Sequence, residues 1–163
     1  MSEDALIIYE EEITRIDALL NKMLKGAEAK CALLVDKDGH LITRQGFTHT
    51  LDTTALAALL AGAFASTKEI ARLVGEPEFS VLFHQGKKDH IHMTIVGERS
   101  ILVVILDDRT TIGMVRLYAK ETALELTRIF DQILSKNNER PKDSISNEFA
   151  SMAQDRLDDI FQD

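Results

Sequence analysis

Three histidines are the residues whose type and spacing best suit chemistry. His90 and His92 stand two apart in an alternating run, so both side chains leave the same face of a strand. With His84 on a neighbouring strand, two or three imidazoles share that face and have the donor type that zinc takes. The competing account is a polar sheet face that carries titratable groups. No cysteine or carboxylate stands nearby at ligand spacing, so the pattern favours the second account and the expected metal set is none. A metal-dependent enzyme built on His84, His90 and His92 is the reading that stoichiometric metal in the protein would support.

Other chemistries lack their parts. Gly86-Lys87-Lys88 is a turn with lysines but has no upstream glycine spacing, so the chain carries no phosphate loop and is not itself a nucleotide hydrolase of that type. A dinucleotide fingerprint is also missing, and no G-x-S-x-G elbow presents a serine nucleophile. Glu10-Glu11-Glu12 reads as a solvated helix start, where the helix dipole favours negative charge, and not as a paired-carboxylate site. The one cysteine, Cys31, lies in an apolar run and reads as a small buried hydrophobe. No catalytic residues and no cofactor are expected.

The elements that must position any site come from periodicity. Ile13, Ile16, Leu20, Met23 and Ala27 repeat at helical spacing within a first helix over 6–27. Cys31–Val35 and His40–Arg44 flank a turn ending in Asp38-Gly39, which is a hairpin signal. A second helix begins at the N-cap Asp52 and ends at Val74, stopped by Gly75 and Pro77. Strands are expected over 79–84, 90–96 and 100–106. The first two alternate and should be covered by helices on one side only. Ile101 to Leu106 is apolar throughout, so the third should be buried on both faces. A last long helix over 112–135 carries Val115, Ala119, Ala123, Leu126, Phe130 and Ile133 on one side. The polar stretch 137–143 (NNERPKD) reads as a linker, and 144–163 as an amphipathic tail helix. Residues 1–136 then form one α+β domain, α-β-β-α-β-β-β-α, with a single five-stranded antiparallel sheet flanked by helices.

Composition sets outer bounds. The chain has 163 residues, is 45% hydrophobic and carries a net charge of -8 with no basic stripe, which disfavours a polyphosphate partner, so no nucleic acid is expected. No apolar run is long enough to span a bilayer, and Met1 to Asp4 lacks the blocks of a signal peptide. A cytoplasmic location and no membrane insertion are expected.

The second helix is the most informative segment. Leu56, Leu59, Leu60, Ile70 and Val74 form one stripe, expected to face the sheet. Opposite lie Ala58, Ala61, Gly62 and Ala65, followed by Lys68, Glu69 and Arg72. A helix face bared to Ala and Gly lets another backbone approach closely and reads as a docking surface. Alanine also favours helices for its own sake, but Gly62 costs helix stability, which propensity does not explain.

Several strings in order then carry a likeness. They are Tyr9-Glu10-Glu11-Glu12, Leu34-Val35-Asp36-Lys37, Asp52-Thr53-Thr54 with Leu56-Ala57, Met93-Thr94-Ile95-Val96-Gly97 with Arg99, and Leu102-Val103-Val104-Ile105. Later come Arg109-Thr110, Val115-Arg116-Leu117, and Glu125-Leu126-Thr127 with Ile129-Phe130. Together they resemble the roadblock (dynein light chain) family. The resemblance implies a roadblock/profilin-like fold and a homodimer whose sheets join edge to edge, with two second helices side by side. It implies that one Ras-like small GTPase sits on that pair, touching Ala58, Ala61, Gly62, Ala65, Lys68, Glu69 and Arg72. It further implies stimulation of GTP hydrolysis without donated catalytic residues, in the control of cell polarity or motility and at a cell pole. Arg72, Arg99 and Arg109 are the arginines available for insertion, and solvated surface charge is the simpler account of each. By the same resemblance the tail is a second GTPase contact tied to nucleotide exchange, anchored by Phe149, Met152, Leu157, Ile160 and Phe161. The alternative is a scaffold or adaptor for polarity or motor components that uses the same helix face and leaves the hydrolysis rate unchanged. On this reading Ala61→Arg and Ala65→Arg should both spare the fold and abolish partner binding.

Overall fold

The computed structural model describes Ile8 and residues 10–139. The element order is α1 (Glu10–Ala27), β1 (Cys31–Asp36), β2 (Leu41–Gly46), α2 (Thr53–Val74), β3 (Val81–Gln85), β4 (His90–Val96), β5 (Ser100–Leu106) and α3 (Ile112–Glu139). All five strands form one antiparallel sheet in the order β2-β1-β5-β4-β3. The expected class and order hold. β3 starts two residues later than expected, although the Ser80 carbonyl still accepts from the Ile95 amide at 3.0 Å. α3 runs on to Glu139, into the stretch read as linker.

The apolar strand β5 is the middle strand of the sheet and is buried along its whole length. Even-numbered residues of β5 face α1 and α3, and odd-numbered ones face α2. On the first face Leu102, Val104 and Leu106 pack with Ile16, Leu20, Met23, Leu126 and Ile133. On the second, Val103 and Ile105 pack with Leu33, Val35, Leu60, Phe64 and Met93. Two helices therefore cover one side of the sheet and a single helix covers the other.

Local chemistry places α2. The Asp52 carboxylate accepts from the Ala55 amide at 3.1 Å, and Gly75 closes the helix in the left-handed region at φ 80, its amide bonded back to Ala71 and Arg72. In the β1–β2 turn Asp36 Oδ1 accepts from the amides of Asp38 and His40. Gly39 there has φ 91, and a Cβ on it would lie 3.0 Å from the Cα of Ala58. The turn therefore needs glycine twice over, for its conformation and for its seat against α2.

One expectation for the strands fails. β4 is covered on both faces, because α3 lies over the side on which His92 and Thr94 point. His92 is buried, and neither of its ring nitrogens has a partner among the described residues. Burial, with the nearby Arg116 charge second, holds its pKa below the ordinary 6.5. Well above pH 6.5 the imidazole is neutral in both states. Below it the unfolded chain takes up a proton that the folded one resists, so stability falls as pH drops, by at most about 1.4 kcal/mol per pH unit. His92→Leu should remove that slope and raise stability at pH 7 by about 1–3 kcal/mol, read by urea denaturation across pH 5 to 8. An unchanged pH profile in the variant would refute this account of the site.

Candidate functional site

The three histidines do not form a site. Register pairs Phe83 with His92 and His84 with Ile91, so His84 points to the α2 side while His90 and His92 point to the α1/α3 side. His90 instead accepts from the Gly86 amide through Nδ1 at 3.1 Å and stacks on Phe83. Among the described residues no group of three potential ligands gathers in one place. Cys31 is buried between the strands, and burial pushes its thiol up to about 11, which makes it inert.

The outer face of α2 is the unusual surface, and its composition differs from expectation. The side turned to the sheet is Thr53, Ala57, Leu60, Ala61, Phe64, Thr67 and Ala71. The helix is thus turned by roughly 80° from the orientation that the Leu/Ile/Val stripe suggested, at 100° per residue. Ala61, expected on the docking face, is only 4% exposed and packs beside Phe64. It does not belong to the exposed set. The reason is closeness: Ala57, Ala61 and Ala71 let the helix backbone settle onto the sheet, and Phe64 fills the centre of the contact.

The other six residues of the predicted set, Ala58, Gly62, Ala65, Lys68, Glu69 and Arg72, are exposed. Beside them stand large apolar residues, three of which, Leu59, Ile70 and Val74, the sequence pattern assigns to the core. Leu59 is 71% exposed and Leu73 72%, with Ile70 and Val74 also open to solvent. Ala55, Leu59, Gly62, Ser66, Glu69 and Leu73 follow one another at alternating spacings of four and three, the seam on which one helix packs along another. Among the described residues, a Cβ on Gly62 would find no atom within 4 Å outside the adjoining backbone of its own helix. Its smallness serves no contact among the described residues and weakens the helix by roughly 1 kcal/mol relative to alanine.

Two further features adjoin this face. Ala65 and Lys68 overlook a cleft of about 190 Å³ whose far wall is the β1–β2 and β4–β5 turns, with Lys37, Glu98 and Arg99. Val74 at the end of α2 and Val81 on the edge strand β3 are also exposed. β3 is an edge strand that carries no acidic residue, lysine or arginine, and such an edge can pair with another strand.

Two of the arginines considered for insertion are engaged. Arg72 Nε donates to Glu69 Oε1 at 2.8 Å, and Arg109 pairs with Asp107 at 3.0 Å, holding that carboxyl below its usual range. Both pairs are exposed. The tail residues Phe149, Met152, Leu157, Ile160 and Phe161 lie outside the described residues. No helix among the described residues is long and apolar enough to cross a membrane.

Comparison with known proteins gives concordant matches. The family profile described as Roadblock/LC7 domain matches residues 15–106. The fold is similar to that of Myxococcus xanthus MglB, at 50% identity and TM-score 0.74, covering 78% of this chain and 96% of that one. It is also similar to the gliding protein mglB of Thermus thermophilus, at 29% identity and TM-score 0.74, covering 80% and 98%. A structure described as MglB with tetrameric arrangement matches at 29% identity and TM-score 0.75, over 80% and 98%.

Proposed function

The chain belongs to the Roadblock/LC7 family, and from that membership we propose that this MglB-like protein is a homodimeric regulator of a Ras-like small GTPase of the MglA type. The dimer receives one GTPase on its two α2 helices and speeds GTP hydrolysis. It has no active site of its own and acts in the control of cell polarity or motility, inside the cell and at its pole. The observation that carries this reading is the outer face of α2, where exposed Leu59 and, three turns beyond Gly62, exposed Leu73 share a seam with a glycine whose smallness no contact among the described residues uses. Exposed apolar surface of this kind marks a protein contact. The edge strand β3, which carries no acidic residue, lysine or arginine, supports sheet-to-sheet pairing of two copies, which brings both α2 helices to one side of the assembly.

The activation mechanism is a population shift. An activator that inserts an arginine stabilises charge on the transferred phosphate. Arg72 and Arg109 are already held by their own carboxylates, which supports a mechanism without a donated arginine. The dimer then accelerates hydrolysis by binding the partner's hydrolysis-competent conformation more tightly than the resting one, so that the partner aligns its own arginine and glutamine. The amphipathic stretch 144–163 serves as a second contact that aids nucleotide exchange, in the helix-in-groove manner.

Single-turnover hydrolysis with the cognate GTPase tests the proposal. Intrinsic rates of Ras-like proteins are about 10⁻⁴ to 10⁻³ s⁻¹. Saturating amounts of this protein should raise the rate at least about tenfold. Binding without any change in rate would instead establish a scaffold.

A further inference from the structure

The side of the molecule away from α2 holds a second unpartnered surface. α1 and α3 lie antiparallel, with Arg15 Nη1 donating to Gln132 Oε1 at 3.3 Å near one end and Gly26 against Tyr118 near the other. Between them on the outer side runs an open groove of about 410 Å³. Ala18, Leu19 and Ile129 form its floor, and Arg15, Lys22 and Arg128 stand along its rim with Glu125 as the one carboxylate. No carboxylate among the described residues pairs with Arg15, Lys22 or Arg128. Three such cations over an apolar floor are conspicuous on a chain of net charge -8.

The chain itself carries the complement. Residues 144–163 place Ile145, Phe149, Met152 and Ile160 at helical spacing and carry five carboxylates against the single cation Arg156. The reach is sufficient. α3 ends at Glu139, and the groove opens about 10 Å back along it, at Gln132, by a rise of 1.5 Å per residue. The four residues 140–143 span up to about 14 Å, enough to reverse direction. A 20-residue helix is about 30 Å long, so one running back along α3 passes the whole groove.

We propose that residues 144–163 seat as an amphipathic helix in the α1/α3 groove of their own chain, apolar face on Leu19 and Ile129, carboxylates against Arg15, Lys22 and Arg128. This seat lies across the sheet from α2, so the docked tail leaves the outer face of α2 open. It also sets a condition on the tail as a partner contact, since a partner must take the tail from the groove. The inference needs no GTPase and stands apart from the reading of α2.

Hydrogen exchange read by mass spectrometry on the full chain tests it. At low salt the amides of 144–163 should exchange about tenfold or more slower than an unstructured chain. Raising salt to 1 M, where the screening length falls to about 3 Å, should cut that protection at least about threefold. Arg15→Glu with Lys22→Glu and Arg128→Glu should abolish it while protection within α1 and α3 stays. Adding Asp155→Lys, Asp158→Lys and Asp159→Lys to that variant should restore it, a rescue that a merely structural role does not allow. Unstructured exchange rates in the unmodified tail overturn the proposal, as does protection indifferent to both salt and charge reversal. Protection that disappears on tenfold dilution also overturns it, because the seated tail then belongs to another copy.

Discussion

Leu59→Arg combined with Leu73→Arg is expected to lower affinity for the GTPase about 100-fold or more while the chain stays folded. Both side chains project from α2 into solvent, at 71% and 72% exposure, so neither contributes to the core. Exposed substitutions of this kind change stability by within about 0.5 kcal/mol. Leu59 lies one turn before Gly62 and Leu73 three turns after it on the seam where a partner backbone approaches, and well-packed apolar anchors at an interface are worth about 1–2 kcal/mol each or more. A long cation in each place removes the apolar contact and obstructs the approach. Titration of the nucleotide-loaded GTPase by calorimetry gives the affinity, and light scattering on the same samples reports whether the dimer persists. A folded double variant that binds and stimulates normally would remove α2 from the proposed interface.

The second large effect separates two alanines four residues apart. Ala61→Arg should cost about 2–4 kcal/mol of folding stability, because Ala61 is closed in between α2 and the sheet beside Phe64 and above the Gly39 turn. Ala65→Arg should leave stability within about 0.5 kcal/mol of the parent, since that position faces the open cleft. The urea midpoint then falls in the first variant and holds in the second, and only the second gives a meaningful test of partner binding. Equal midpoints would mean that α2 sits on the sheet in another orientation. This differs from the expectation drawn from the sequence, in which both substitutions are harmless to the fold.

These two alanines show where sequence reading stops. Strand β5 announced its central place through an uninterrupted apolar run, and the ends of α2 were legible from Asp52 and Gly75, because caps and strand burial depend on residues close in the chain. The buried side of α3 was equally plain, since six apolar residues recur at one spacing with no rival stripe. α2 offered two rival stripes. One ran through Leu56, Leu59, Leu60, Ile70 and Val74; the other ran through Ala57, Leu60, Phe64 and Ala71. Side-chain size favoured the first, but the sheet accepted the second. A helix that covers one sheet face alone must come close to it, and small residues around a single phenylalanine allow that approach. Including Phe64, the largest apolar residue of the helix, in the first stripe would have exposed the conflict.

The histidines make the same point for chemistry. Their spacing within β4 showed that His90 and His92 share a face, but only the β3–β4 register puts His84 on the other side of the sheet. By itself, then, the sequence determined the order of elements, the central strand and the small-residue helix that marks the family. These follow from periodicity and turn chemistry, which act over a few residues. The tertiary structure alone decided which flank of α2 meets the sheet, which histidines can meet, and that α1 and α3 leave a cationic groove between them. Those outcomes depend on distances between segments far apart in the chain, and no local pattern encodes such distances.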